Sequence, residues 1–175
     1  MELWDIYDEN RNLTGRTMLR DTPYPDGGYH LVVHMCVFNS RGEMLLQRRH
    51  PEKDGWPGMW DVTMGGSAVA GEDSRTAARR EVLEEMGIRV DLTGVRPALT
   101  CCRPHIFNDI YFVDMDIELH ELTLQPEEVC DAKWAAEDDV LAMLDAGVFI
   151  PYHRSFIQYL FALHRAGGNL HCYKG

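Results

Sequence analysis

Apolar and polar positions alternate along the chain in segments short enough to be read one at a time. Residues 3–7 and 13–19 are apolar stretches separated by Asp8-Glu9-Asn10-Arg11-Asn12, which predicts an N-terminal β-hairpin. After a loop at 23–28, residues 29–38 are rich in β-branched and apolar side chains, as in a buried strand. Asn39-Ser40-Arg41-Gly42 turns the chain into residues 43–48, giving a second hairpin. A loop at 51–59 leads to a short strand at 60–64 that ends at Gly65-Gly66. Residues 75–86 form the best helix in the chain, with Ser74 placed to cap its start and Gly87 to stop it. Further strands are expected near 89–91, 98–102, 110–119 and 132–135. Helices are expected at 137–145 and 155–165, the second with Phe156, Tyr159, Leu160 and Leu163 on one stripe. No repeat, low-complexity tract or internal boundary interrupts this pattern, so one domain over residues 1–175 is expected.

Composition narrows the function classes. Apolar residues make up 45% and charged residues 26%, which points to neither disorder nor a membrane protein. No apolar run approaches the ~18 residues of a membrane span, and the N-terminus lacks a secretory pattern, so a cytoplasmic protein is expected. A net charge of -11 argues against a nucleic-acid partner. Cys36, Cys101, Cys102, Cys130 and Cys172 are odd in number and include no CxxC pair, which predicts buried free thiols rather than disulfides or a zinc site.

The helix at 75–86 carries the chemistry. Glu81, Glu84 and Glu85 stand at i, i+3 and i+4, so rotations of ~100° per residue set all three carboxylates on one side. Val82, Leu83 and Met86 fall on the other side. Ala77 and Ala78, one turn earlier, leave room for a substrate to approach. Like charges at this spacing repel by a few tenths of a kcal/mol per pair, and oxygen ligands on one face suit a hard divalent cation. The fragment 80–85 alone is better read as an ordinary solvated helix face, since charge runs on helices are common.

The flanking residues reverse that reading. Gly66, Glu72, Arg80, Glu81, Val82, Glu84, Glu85, Gly87 and Ile88 match every specified place of GX5EX7REUXEEXGU, where U is apolar. With each named residue at ~7% and each U at about one third, a chance match has odds on the order of 10⁻⁷. The segment thus resembles the metal-binding box of the Nudix hydrolases. The resemblance implies an α/β fold, a Nudix-type α/β/α sandwich with a mixed β-sheet beside the N-terminal hairpin. It implies Glu81, Glu84 and Glu85 as Mg²⁺ ligands, with Mn²⁺ as the alternative ion, and Arg80 and Glu72 as the groups that orient them. The implied reaction is attack of a metal-activated water on a phosphoanhydride, most simply a nucleoside diphosphate linked to another moiety or a related organic diphosphate. Glu84, Glu85 and Glu128 are the candidate bases, Glu128 because family members often carry a carboxylate shortly before a tryptophan strand such as the one at Trp134.

A second resemblance covers the N-terminal half. Trp4-Asp5-Ile6-Tyr7-Asp8-Glu9-Asn10, the strand with His30, the Asn39 turn and Leu45-Leu46-Gln47-Arg48-Arg49 are similar to isopentenyl-diphosphate isomerases, themselves Nudix-fold proteins. Those enzymes need a cysteine and metal-binding histidines in a pattern like W-T-N-x-x-C-x-H-P. Here Gly65 replaces the cysteine and Ser67 the histidine, while His30 matches one metal histidine, so hydrolysis is favoured over alkene protonation. A non-catalytic nucleotide or sugar-phosphate sensor is the third reading, and the intact carboxylate triad argues against it.

Substrate contacts are expected from Gly65 and Gly66, which permit close backbone approach, and from Arg103, with His105 beside it. One of Arg48 and Arg49 should contribute, since alternation sends their side chains to opposite faces. Trp56 or Trp60 could stack on a base or simply pack. The expected partner is a small phosphoanhydride; a homodimer through the hairpin or the last helix is the expected assembly, with no membrane partner.

Overall fold

The computed structural model describes residues 2–168, so Cys172 lies outside the described residues. Strands β1 (Leu3–Tyr7) and β2 (Leu13–Leu19) form the expected hairpin as a separate two-stranded sheet. Its inner face carries Trp4, Ile6 and Met18. A pair this small is marginal alone, and it is tied down in three places. Tyr7 exchanges both backbone hydrogen bonds with Tyr29, at 2.8 and 3.0 Å. Trp4 stacks on His30 with ring centroids 4.2 Å apart. Arg11 in the turn forms a bidentate ion pair with the fully buried carboxylate of Asp109.

Among the described residues the main sheet has seven strands. Strand β3 (His30–Phe38) lies at its centre and pairs in parallel with β8 (Ile106–Asp114) from His30↔Ile106 to Phe38↔Asp114. Strand β4 (Met44–Arg49) leaves the Asn39 turn as expected, yet it pairs with β3 only at Phe38↔Met44. Beyond that point the two strands splay and the segment 60–67 enters the gap. The single strand expected at 60–64 is therefore two: β5 (Trp60–Asp61) pairs with β4, and β6 (Met64–Ser67), which contains Gly65 and Gly66, pairs with β3. Buried Thr63 makes the exchange of partners feasible. Its hydroxyl donates to Leu45 O at 2.6 Å and accepts from Val37 N at 2.9 Å, satisfying backbone groups that the splayed strands no longer pair.

Strand β7 (Leu99–Arg103) makes a tight hairpin with β8, in which His105 takes a left-handed backbone (φ 62°). That turn places β8 four residues earlier than the apolar run at 110–119 indicated. Strand β9 (Val129–Ala135) pairs antiparallel with β4. No strand forms at 89–91; Ile88 and Leu92 are buried there as anchors of an irregular segment.

Helices cover both faces. Helix α1 (Ser74–Met86) packs Ala77, Ala78, Val82 and Met86 against Leu31, Val33, Met35 and Val37. Asp73, not Ser74, caps it, its carboxylate accepting from Thr76 N at 2.8 Å; Gly87 ends it in the left-handed region (φ 72°) as expected. Ala77 and Ala78 are fully buried, so they bring the helix close to the sheet instead of leaving room for substrate, and Leu83 is exposed. On the other face, α2 (Glu137–Asp145) and α3 (Arg154–Arg165) cover Cys36, Phe38, Leu46 and Ile110. The buried stripe of α3 is Ile157, Leu160, Phe161 and Leu163; Tyr159 points to solvent. The sheet is thus the middle layer of an α/β/α sandwich. No helix among the described residues is long and apolar enough to cross a membrane.

Candidate active site

Alternation along β6 sets up the site. Successive side-chain positions on a strand point to opposite faces, so Gly65 and Gly66 open a notch on each side of this edge strand. A Cβ at Gly66 would lie 2.2 Å from Cδ of Glu81. Only glycine lets the Glu81 carboxylate rest against the strand. A Cβ at Gly65 would lie 2.8 Å from Nε2 of His34 on the opposite face.

Arg80 organises the carboxylates around the first notch. It donates to both oxygens of Glu72, at 2.7 and 2.9 Å, and to Ser67 O at 3.1 Å. Its remaining nitrogen lies 3.1 Å from Glu81 and 3.1 Å from Glu84. The guanidinium is held charged by these acceptors, Glu72 foremost. Glu85 sits deeper, only 6% exposed, and accepts from Gln47 Nε2 at 3.2 Å. Burial first, and then the neighbouring Glu81 charge, push its pKa up to about 8. Burial likewise raises Glu81.

These side chains line a cavity of about 860 Å³ that continues past β6 onto the face of β3, β8 and β7. Glu128 enters it from the loop before β9, a loop pinned to the end of α1 by Gln125 N donating to Glu85 O at 3.0 Å. Glu128 is ion-paired with Lys53. Burial, followed by the nearby Arg49 charge, lowers the pKa of Lys53. Arg49 and Arg103 also line the cavity, as does Trp56 at its rim, 51% exposed with a left-handed backbone (φ 53°). A bulky residue in that region is strained by about 1–3 kcal/mol, a kind of strain that gathers at ligand sites.

Several residues expected at the site lie elsewhere. Arg48 leaves β4 on the far side and donates to Gly58 O at 3.0 Å. Trp60 does not line the cavity; the Lys133 ammonium lies 4.4 Å from its ring centroid. His105 stacks on Tyr24 and contacts Gly28 O at 2.8 Å. His30 is buried between Trp4 and Tyr24, with Nδ1 2.8 Å from the tyrosine hydroxyl, a satisfied core histidine. Of the thiols, Cys36 is buried, Cys101 half-buried, and Cys102 and Cys130 exposed, so burial holds fully for one of the four described; all four are free. The cavity also gathers Arg20, His34, Lys53, Asp61, Asn108, Tyr152 and Phe156, none of which belongs to a sequence motif.

Glu81, Glu84 and Glu85 supply only hard oxygen donors, and half-buried Glu81 raises the proton affinity of buried Glu85, a repulsion between carboxylates that a divalent cation would relieve. In the observed rotamers no three His, Cys, Asp or Glu side chains among the described residues converge on one point, because Arg80 draws Glu81 and Glu84 while Glu85 turns to Gln47. The chemistry fits the ion, and the rotamers would have to turn from Arg80 to hold it.

Comparison with known proteins agrees with this geometry. The family model for the NUDIX domain matches residues 28–160. An uncharacterized Nudix hydrolase of Listeria monocytogenes is 45% identical over 166 residues, covering 95% of this chain and 97% of its own. An isopentenyl-diphosphate Delta-isomerase of Pectobacterium atrosepticum is 38% identical over 88 residues, half of this chain and 49% of its own. The crystal structure of DR0079 from Deinococcus radiodurans superposes with a TM-score of 0.72 at 24% identity, over 90% of this chain and 98% of that one, which establishes the shared fold. With the box intact on α1 and the sandwich around it, the chain belongs to the Nudix hydrolase family, enzymes that act on phosphoanhydrides.

Proposed function

We propose that this enzyme hydrolyses, with Mg²⁺, the phosphoanhydride bond of a nucleoside diphosphate linked to another moiety or of a related organic diphosphate. The observation that carries the reading is half-buried Glu81 seated in the Gly66 notch beside buried Glu85, both sharing one cavity with Arg49, Lys53 and Arg103. Glu81, Glu84 and Glu85 would hold the ion, with Mn²⁺ as the alternative; once bound it supplies Lewis acidity at phosphorus and a more acidic water. The chain's own groups do the rest. Arg80, braced by Glu72, steers Glu81 and Glu84. Arg49, Lys53 and Arg103 neutralise phosphate oxygens. A carboxylate of Glu84, Glu85 or Glu128 takes the proton of the attacking water, the bridging P–O bond breaks, and two phosphorylated fragments leave, or one with free phosphate. The four free thiols support a cytoplasmic setting.

The isomerase-like alternative has the half-length relative in its favour. Against it stands Gly65, whose place beside His34 carries no thiol to protonate an alkene. A panel of nucleoside di- and triphosphates, nucleotide sugars, dinucleotides and isoprenoid diphosphates, incubated with Mg²⁺, tests the proposal. Release of phosphate or a monophosphate from at least one member is expected. Conversion of isopentenyl to dimethylallyl diphosphate with no hydrolysis of any member would overturn it.

A further inference from the structure

We propose that His34 and Asn108 form a reading point for the organic half of the substrate. It selects a neutral planar group that carries a hydrogen-bond donor beside an acceptor, as the edge of a nucleobase does, over a saturated hydrocarbon. The inference rests on the hydrolase reading and extends it from the bond broken to the group attached.

On β3 the residues His34, Cys36 and Phe38 share one face; α3 covers Cys36 and Phe38 with Ile157, Leu160 and Phe161, and its cover stops short of His34, which opens on the cavity. Across the sheet from Val32 stands Asn108, also on the cavity side and only 8% exposed. Nδ1 of His34 lies 2.8 Å from Oδ1 of Asn108. An amide oxygen only accepts, so Nδ1 carries the proton, and in the neutral ring Nε2 is left as an acceptor. The same bond uses the Asn108 oxygen and leaves its Nδ2 as a donor.

Neither Nε2 of His34 nor Nδ2 of Asn108 has a hydrogen-bond partner among the described residues. No side-chain nitrogen or oxygen there is both sealed and unpartnered, so both atoms face the cavity space. Gly65 fixes where Nε2 sits, because a Cβ there would lie 2.8 Å from it. The cavity wall that completes the slot is aromatic, built from two rings tilted 37° to each other. Tyr152 and Phe156 have ring centroids 5.5 Å apart, and the Tyr152 hydroxyl donates to the buried Asp61 at 3.0 Å, which anchors that wall beside His34. A polar floor with one acceptor and one donor, set against aromatic faces, suits a flat heterocycle. A prenyl chain would leave both polar atoms unpaired, and sites built to hydrogen-bond discriminate strongly on that ground.

The test measures binding to the full-length chain by titration calorimetry in Mg²⁺. Ligands are α,β-methylene adenosine, guanosine and uridine diphosphates, methylenediphosphonate, which lacks the organic half, and an isopentenyl thiodiphosphate. Wild type should bind at least one nucleotide analogue about tenfold or more tightly than methylenediphosphonate. In His34→Phe that ratio should fall about tenfold, and in Gly65→Ala, which keeps His34 but displaces its ring, it should fall likewise. Equal binding of nucleotide analogues and methylenediphosphonate by wild type, a preference for the isoprenoid, or a ratio unchanged in both variants would each overturn the proposal. Failure of the hydrolase reading looks different: the nucleotide preference and its loss persist, but no phosphoanhydride is cleaved.

Discussion

At the scale of single residues, the site depends on what two adjacent glycines leave out. Gly66 admits the Glu81 carboxylate on one face of β6, and Gly65 admits the His34 ring on the other. Glu85 completes the first arrangement from deeper in the fold, where burial and Glu81 together raise its proton affinity. Replacing it by Gln keeps the shape and the contact with Gln47 while removing the charge. We expect Glu85→Gln to lower kcat by at least ~10²-fold with circular dichroism and Tm close to wild type. Near-wild-type turnover on the best substrate of the panel would remove Glu85 from the catalytic set.

At the scale of elements, one of the three ties that secure the N-terminal hairpin is a buried charge, Asp109. Burial raises the pKa of Asp109, but hydrogen bonds from Arg11, Ser74 and Thr100, with the Arg11 charge, outweigh burial and hold it below the ordinary value of 3.8. A carboxyl depressed on folding adds stability that is fully present above its unfolded pKa and is lost as pH falls through the folded value. Arg11→Ala should therefore destabilise the protein by about 1–3 kcal/mol near neutrality, the lower part of the range because Arg11 is one-third exposed. The gap between wild type and variant should be full near neutrality and narrow on acidification as Asp109 takes up its proton. Urea unfolding at a series of pH values measures it; a gap that widens on acidification would contradict the sign. The hairpin also reaches the cavity, since its last strand leads to Arg20, one of the lining residues.

For the whole molecule, a net charge of -11 and the adjoining carboxylates of half-buried Glu81 and buried Glu85 both favour uptake of a cation by the folded state. A ligand at 100 times its Kd stabilises by about 2.7 kcal/mol, which for a chain of this size is a rise in Tm of roughly 5–10 °C. Saturating Mg²⁺ should produce such a rise, chelation should reverse it, and the double variant Glu81→Gln, Glu85→Gln should abolish it. An equal rise in the double variant would assign the ion to another place. The box on α1 was legible in the sequence because it is local: helix period, cap and glycine stop are set within 23 consecutive residues, 66–88, and one helix holds all three carboxylates. The hairpins were legible for the same reason, their turns being encoded beside the strands they join. What lies between them was not. The split of 60–67 into two strands with different partners depends on Thr63 bridging β3 and β4, a contact between segments about 20 residues apart. Alternation predicted that only one of Arg48 and Arg49 would face the site, and the pairing of β4 with β5 and β9 decided that it is Arg49. The burial of Ala77 and Ala78, the retreat of Trp60 and His105, and the gathering of Arg20, Lys53, His34, Asn108 and Tyr152 were likewise settled by packing. The sequence by itself determined the fold family and the bond to be attacked, because both are implied by the resemblance of one short motif, residues 66–88, to the Nudix box. Only the tertiary structure decided which distant side chains share the cavity, because burial and strand partners are properties of the closed sheet and not of any one segment.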